Sequence, residues 1–351
     1  MYAIRFYRIY DIGEEIDLSA LECGLAESMA IARAGFVRVP PKSISMVEPP
    51  LLLRLQPAYV EHAGRNFEFT VIARVFDIGA ISICLIHEEL GAPAVELEED
   101  ALRFANQNGL GAHFSAALTQ IRAILKPMIG DRPIDPDFYE DYTVYLADKM
   151  DSNIDPVVVM LGEKAEFSPE IRADVMKYSL SYGINDRTTL SWAGAFLVAP
   201  EPPTDIIELI EFATVQVLEL RFYDRELSRQ MSKMFDDIEN AGRLSSLRRV
   251  RRMRLIMKEL MRTQTELSEI TEKVNNLIKV TEDVFYARVY ATALNVLRSQ
   301  TWNDSVNRRI ATIRENYAML SDEVNVQHSN VLEWIVIILI AMELVIFMFA
   351  H

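Results

Sequence analysis

The chain has 351 residues, half of them hydrophobic and a quarter charged, a composition typical of folded proteins that excludes a disordered chain. Its formal net charge of −15 opposes general nucleic-acid binding, because a negative field repels phosphate unless basic residues are segregated into one patch. The two cysteines, Cys23 and Cys84, are too few for a disulfide framework and lack zinc-site spacing, which indicates a reducing compartment.

The first 200 residues alternate between strand-like and helical patterns. The predicted elements, in chain order, are a strand from Tyr2 to Tyr10, a helix from Leu18 to Ala34, a hairpin of strands Phe67 to Phe76 and Ala80 to Ile86, a helix from Glu98 to about Lys126, and a strand from Asp141 to Lys149. This βαββαβ order predicts a ferredoxin-like arrangement with an antiparallel or mixed sheet. Gly109 and Gly111 indicate a break in the second helix, and Thr189 to Val198 is predicted as one buried strand. We therefore predict an α+β fold with its sheet domain at residues 1–200.

Residues 201–330 are predicted to be nearly all helical, because after Pro203 the chain has no proline and a single glycine, Gly242. Apolar residues in this region recur at alternating steps of three and four, which is typical of a helical hairpin or coiled coil. These seam residues are Ile256, Leu260, Leu267, Ile270, Val274, Leu277 and Val284. A seam of this kind favours self-association into a homo-oligomer.

The apolar run from Trp334 to Ala350 predicts a transmembrane helix at residues 331–351. Its 17 residues span roughly 25 Å, which is short for a spanning helix, and the alternative is a fully buried core helix. Because only His351 follows, and the N-terminus matches no signal or transit peptide, we expect a tail-anchored protein with a cytoplasmic main domain. The expected location is a prokaryotic inner membrane, with membrane lipids as partners.

Three residues define the predicted membrane helix. Glu333 marks the membrane interface, and Trp334 occupies the interfacial aromatic belt. Glu343 lies about 15 Å further along the axis, near the bilayer midplane. Because an ionised carboxylate is costly there, Glu343 is predicted to be protonated or paired with a donor from another subunit.

The segment LEWIVIILIAMEL, preceded by TWND, resembles the C-terminal signature of the YagE-like family of unknown function, which includes proteins required for meiotic nuclear division and sporulation-related yeast members. The strand-turn-strand ARVFDIGAISICLIHEE around Gly79 is similar, as is LELRFYDREL with Glu219, Arg221 and Arg225. The resemblance covers Phe67 to the end and implies an α/β domain, a helical region, a membrane helix and a link to translation at the inner membrane. It implies no catalytic residues, and the lack of a presequence indicates a bacterial or archaeal chain.

A dense basic run stands out in this acidic chain. It consists of Arg248, Arg249, Arg251, Arg252, Arg254 and Lys258. On a helix these residues suit anionic lipid headgroups, RNA phosphates or an acidic protein partner. The alternative is a solvated helix face that acidic residues such as Glu239, Glu259 and Glu266 neutralise.

One hairpin end gathers Cys84, His87, Glu88 and Glu89, and a cysteine three residues before a histidine could ligate metal or form a nucleophile pair. A second ligand pair at recognisable spacing is missing from the sequence, so we interpret Cys84 as a buried strand residue beside a surface histidine. The sequence therefore predicts no catalytic residues, no cofactor and no metal, and it identifies no small-molecule substrate.

The leading functional hypothesis is a non-enzymatic, membrane-tethered scaffold that self-associates and recruits a partner to the membrane. One alternative is a membrane tether that supports translation by contacting RNA or the ribosome through the basic run. A further alternative is an unrecognised hydrolase or transferase in the α/β domain.

Overall fold

The computed structural model describes residues 1–13, 15–26, 44–45, 49–62, 64–91, 95–130, 134–150, 153–242, 251–258, 261–262, 279–280 and 283–349. The chain divides into two compact units. The first unit comprises Met1–Phe222 and Lys273–Thr301, and the second unit comprises Tyr223–Glu272 and Trp302–His351.

The first unit is built on a large mixed sheet. The strands of this unit are β1 (Tyr2–Asp11), β2 (Ile44–Ser45), β3 (Leu51–Arg54), β4 (Ala58–His62), β5 (Arg65–Val75), β6 (Ala80–Glu89), β7 (Tyr139–Ala147), β8 (Ser179–Leu180), β9 (Arg187–Leu190), β10 (Gly194–Val198) and β11 (Lys279–Val280), of which β2 and β11 pair with each other outside the large sheet. Within the described residues, nine strands form one sheet in the order β3-β5-β6-β1-β7-β10-β9-β8, with β4 beside β5. The central neighbours β5, β6, β1 and β7 are all antiparallel, and β10 pairs parallel to β7. The predicted α+β class is therefore confirmed.

Helices cover both faces of this sheet. Those of the first unit are α1 (Leu18–Ala26), α2 (Val95–Arg103), α3 (Gly111–Ile129), α4 (Pro156–Leu161), α5 (Pro169–Met176), the beginning of α6 (Thr204–Gly242) and α7 (Val284–Val296). The predicted helix from Glu98 to Lys126 is two helices, because Asn106 and Gln107 between them adopt positive φ angles of 54° and 56°. The predicted break in this segment is thus confirmed.

Successive side chains of β1 point to opposite faces of the sheet, and the two faces are covered differently. Tyr2, Ile4 and Phe6 belong to the hydrophobic core, where Phe6 packs edge-on against Phe104, which follows α2. The opposite face of the sheet is covered by α6, whose residues 206–220 are all buried. A helix buried on all sides is normally apolar throughout, yet this one carries several buried acidic residues.

The second unit is helical. It contains the rest of α6, the helical segment 251–258 and most of α8 (Ser299–Phe349). Buried apolar side chains line these helices; they are Tyr223, Leu227, Met234, Met253, Ile256, Val306, Ile310 and Ile313. Asp224 on α6 accepts hydrogen bonds of 2.6 Å from both Ser305 Oγ and Arg309 Nε on α8, which fixes the two helices side by side.

The predicted coiled-coil seam is described only in part. Ile256 is buried, and the seam residues from Leu260 to Leu277 lie outside the described residues. Val284 is 81% exposed and begins α7, where Asp283 caps the helix by accepting hydrogen bonds from the backbone of Phe285 and Tyr286. Because the strand β11 lies between Ile256 and Val284, one continuous helix does not connect them.

The predicted transmembrane helix at residues 331–351 is wrong, since among the residues that the structure describes no helix has both the length and the apolarity to cross a bilayer. The apolar run is instead the end of the 51-residue helix α8, and its 17 residues, interrupted by Glu343, fall short of the usual span of about 20 apolar residues. The tail-anchored topology and the inner-membrane location depended on this helix and are wrong with it. The membrane positions of Glu333, Trp334 and Glu343 lose the helix on which they were based, and the lipid partners stay a prediction.

Candidate functional site

An exposed apolar surface, here called the α8 apolar segment, lies near the end of α8. It consists of Val336, Ile337, Ile338, Leu339, Ile340 and Met342, each of which is between 51% and 58% exposed. Consecutive helical residues are separated by about 100° around the axis, so these side chains point in every direction. A helix that is apolar on all sides is ordinarily buried, and an exposed apolar surface of this kind marks an interaction site.

The basic run is only partly described, since Arg248 and Arg249 lie outside the described residues. Arg252 forms an ion pair with Asp237 on α6, as the interpretation of a neutralised helix face predicts for this residue. Arg251, Arg254 and Lys258 are exposed on the helical segment 251–258. The described part of the run therefore offers three cations to solvent.

The residues at the predicted hairpin end do not form one site. Cys84 and His87 are three residues apart on β6 and so lie on opposite faces of the sheet. Burial raises the pKa of the Cys84 thiol to about 12, which keeps it protonated and a poor nucleophile. His87, predicted to lie on the surface, is instead 4% exposed and packs against Phe67 and Phe69. This prediction was wrong because the aromatic residues of β5 cover the imidazole.

Within the described part of the chain, no group of three His, Cys, Asp or Glu side chains is arranged to hold a metal ion.

A buried carboxylate joins α2 to the sheet. Asp100 on α2 is fully buried and accepts a hydrogen bond of 2.6 Å from the Tyr2 hydroxyl on β1. Arg103 donates a second hydrogen bond to Asp100, and Arg65 Nη1 lies 3.7 Å from it. Sequence reasoning missed this cluster because Tyr2 and Asp100 are 98 residues apart. Its full set of partners is typical of a structural network.

A second ionic network lies between β5 and α6. Arg74 on β5 donates a hydrogen bond of 2.7 Å to Glu208 and another to Glu211. The two glutamates are three residues apart and therefore share one face of α6. Burial raises the pKa of Glu208, although the positive charge of Arg74 acts in the opposite direction. The helix thus places two carboxylates against one buried guanidinium.

Glu219 continues this face of α6 two helical turns further on. Its side chain is fully buried, and neither carboxyl oxygen has a hydrogen-bond partner among the described residues. Burial raises the pKa of Glu219 well above 4.5, and the negative charges of Asp11 and Asp77 raise it further. The neutral acid is therefore the favoured form of this side chain in the folded state.

A cleft of about 120 Å³ opens on the α6 side of the sheet, at one end of β1. Its apolar wall is formed by Ala3, Leu146, Ala199, Pro202 and Pro203, and its polar wall by Arg5, Glu88 and Asp148. The Met1 ammonium lies 2.8 Å from Asp148 and lowers the pKa of that carboxyl by hydrogen bonding. The raised-pKa carboxylates Glu208 and Glu219 are not part of this wall.

Fold and site together define a mixed α+β protein with a buried acidic helix over its sheet and a separate helical unit. The family model for the N-terminal domain of the uncharacterized protein MJ0711 matches residues 1–204, more than half of the chain, and the chain belongs to this family. It is 22% identical over 220 residues to the uncharacterized protein MJ0711 of Methanocaldococcus jannaschii. The match covers 60% of this chain and 66% of that protein, just under two thirds of its length. No solved structure matches the chain.

The predicted resemblance to the YagE-like family is wrong, because the family that the chain matches is that of the MJ0711 N-terminal domain. The main motif behind that resemblance, LEWIVIILIAMEL, lies beyond residue 204 and is composed largely of aliphatic residues. An aliphatic helix is a common compositional feature and carries little information on ancestry.

Proposed function

We propose that the protein is a non-enzymatic scaffold that self-associates through α8 and presents its α+β unit to a partner. The observation that carries this proposal is the α8 apolar segment, in which six side chains are each about half exposed. The membrane has no part in the proposal, and the occupant of the surface is a second copy of this chain.

The energetics of this surface support association. Full burial of a Val, Leu, Ile or Met side chain contributes about 1.5–3 kcal/mol, so completing the burial of a half-exposed one contributes about 1 kcal/mol. Two copies with six such side chains each gain on the order of 10 kcal/mol, which is comparable to the entropic cost of association. Association is therefore expected to depend on protein concentration.

Identical copies satisfy the geometry of this surface. In a symmetric homo-oligomer the same patch meets itself, so an apolar segment on one copy always finds an apolar segment on the next. Because the exposed side chains surround the helix axis, one neighbouring helix covers only part of them. This favours an assembly of more than two copies over a dimer.

The proposed core of the presented unit is a ferredoxin-like arrangement of β5, β6, β1 and β7. In chain order these are the second, third, first and fourth strands of the predicted βαββαβ unit, and all neighbours are antiparallel. That order and those directions support the proposal. The other strands of the sheet extend this core on both sides.

The experiment measures the mass of the full chain by light scattering across a range of concentrations. The wild-type chain is expected to show a multiple of 40.1 kDa, and the double variant Ile338→Asp, Ile340→Asp is expected to be monomeric. Ile184→Asp is the matched control, because Ile184 is also exposed but lies in the first unit. A monomeric wild type, or a double variant with unchanged mass, would contradict the proposal.

A second candidate function is RNA or ribosome contact through the basic run. Arg251, Arg254 and Lys258 support it, because they are exposed in a chain with a net charge of −15. Binding of a structured RNA should weaken steeply with salt and should be lost in the double variant Arg251→Glu, Arg254→Glu. RNA binding that changes neither with salt concentration nor in the double variant would contradict this candidate function. The hydrolase or transferase alternative has less support, because the carboxylates with raised pKa do not line the cleft.

A further inference from the structure

The cleft at the end of β1 contains an uncompensated cation. Arg5 lies on its wall, and the Arg5 Nε atom is buried without a hydrogen-bond partner among the described residues. No carboxylate of those residues lies within ion-pair distance of Arg5, although the negative charge of Glu88 acts on it from the exposed rim. Nε itself has no exposed surface, so a ligand in the cleft would be bound by the terminal nitrogens of the same guanidinium, which are not among the buried atoms without a partner.

The groups packed beneath Arg5 do not supply that negative charge. Tyr7 and Cys84 lie on the same face of the sheet as Arg5, and burial raises the pKa of both. Both are therefore neutral at physiological pH and place no negative charge beside Arg5, which lines the cleft. A planar guanidinium binds a carboxylate through two parallel hydrogen bonds, which makes arginine the side chain best suited to this anion.

The rest of the cleft is suited to an aliphatic group. Ala3, Leu146, Ala199, Pro202 and Pro203 present carbon to the cavity, and the volume is about 120 Å³. A cavity of about 150 Å³ binds benzene, which has six non-hydrogen atoms, so this smaller cleft matches a ligand of about five or six non-hydrogen atoms. Such a ligand has a short alkyl chain and one charged end.

We propose that this cleft is a binding site for a small aliphatic monocarboxylate, with the carboxylate on Arg5 and the alkyl chain against Leu146, Pro202 and Pro203. The site is independent of the proposed self-association, because its residues all belong to the first unit and the α8 apolar segment belongs to the second. An experiment that contradicts one of the two proposals therefore does not contradict the other.

The test titrates the full chain with butyrate, which has six non-hydrogen atoms, and follows binding by ligand-observed NMR. Butylamine is the matched probe, since it has a similar chain and the opposite charge. Butyrate is expected to bind and butylamine is not. No butyrate binding to the folded wild type, or equal binding of the two probes, would overturn the proposal.

Two variants locate the site. Arg5→Met keeps the unbranched stem of the side chain but removes the guanidinium and its charge, and it should weaken butyrate binding at least tenfold, whereas Arg187→Met, at an exposed arginine of β9, should leave it unchanged. Ala199→Leu fills the cleft from its partly exposed rim without touching the charge of Arg5, so it should also abolish binding even if Arg5→Met does not fold. Butyrate binding that survives Ala199→Leu in a folded chain would place the ligand elsewhere and refute the assignment.

Discussion

Replacing Glu219 by glutamine should stabilise the protein at neutral pH. Glu219 is fully buried, and neither of its carboxyl oxygens has a hydrogen-bond partner among the described residues. Its pKa is raised well above 4.5 by burial and by the charges of Asp11 and Asp77. Glutamine has nearly the same shape and is neutral at every pH, so it does not titrate in this buried position.

The size and sign of the effect follow from linkage between protonation and folding. A carboxyl with a raised folded pKa contributes stability below its unfolded pKa of 4.5, and this contribution is lost as the pH rises towards the folded pKa. Each pKa unit corresponds to about 1.4 kcal/mol. The wild type therefore loses this amount for each pH unit between 4.5 and the folded pKa, and Glu219→Gln, which does not titrate, loses none of it.

The assay is urea unfolding followed by circular dichroism at several pH values and one protein concentration. The two proteins should be equally stable near pH 4, and the advantage of Glu219→Gln should grow with pH. Glu166→Gln, at an exposed glutamate of the first unit, is the matched control and should show no such trend. A Glu219→Gln variant that is less stable than the wild type at pH 7, or a difference independent of pH, would refute the reasoning.

Substitutions at three further positions test the packing of the first unit. Arg74→Met should destabilise it by about 3–5 kcal/mol in urea unfolding, because two buried glutamates lose their cation. An unchanged urea midpoint would contradict a strong ion pair between Arg74 and these glutamates. Asp283→Ala should cost about 1 kcal/mol by removing the cap of α7, and Asp283→Asn should restore most of it, since asparagine also caps. Gly194→Ala should lower the melting temperature, because the added Cβ would lie 2.7 Å from the Thr143 carbonyl oxygen; an equal melting temperature would contradict this close approach.

The elements that the sequence predicts well are those with local signals. The alternating apolar and aromatic residues from Tyr2 to Tyr10 predict a strand that the structure places at Tyr2–Asp11. Asp77 and Gly79 mark the turn between β5 and β6, and Gly79 has a φ of 97°, which a turn glycine adopts freely. Hydrophobic period and turn chemistry therefore determine these elements without help from the rest of the chain.

The predicted strand from Thr189 to Val198 shows where local signals mislead. It is an antiparallel pair, β9 and β10, whose turn contains Ser191 and the exposed Trp192. The Ser191 backbone N–H and hydroxyl both donate to the Gly194 carbonyl oxygen and close this turn. The segment is rich in strand-forming residues on both sides of Ser191, Ala193 and Gly194, so periodicity alone does not reveal where the chain reverses.

The ionic network beneath α6 could not be predicted, because Arg74 is 134 residues from Glu208 and 137 from Glu211. One signal was available in the sequence. Glu208, Glu211 and Glu219 fall on one face of a helix that is otherwise strongly apolar between residues 206 and 220. Acidic residues on the apolar face of a helix need buried partners, which is a searchable pattern even when those partners are unknown.

The measurement that tests self-association through α8 most directly is sedimentation equilibrium of the full chain beside a chain that ends at Asn330. The second chain lacks the whole α8 apolar segment but keeps the contacts of Asp224 with Ser305 and Arg309 that join α6 to α8. The scaffold proposal predicts an oligomer for the full chain and a monomer for the shortened one. Equal association states for the two chains would contradict it and would place any self-association elsewhere in the protein.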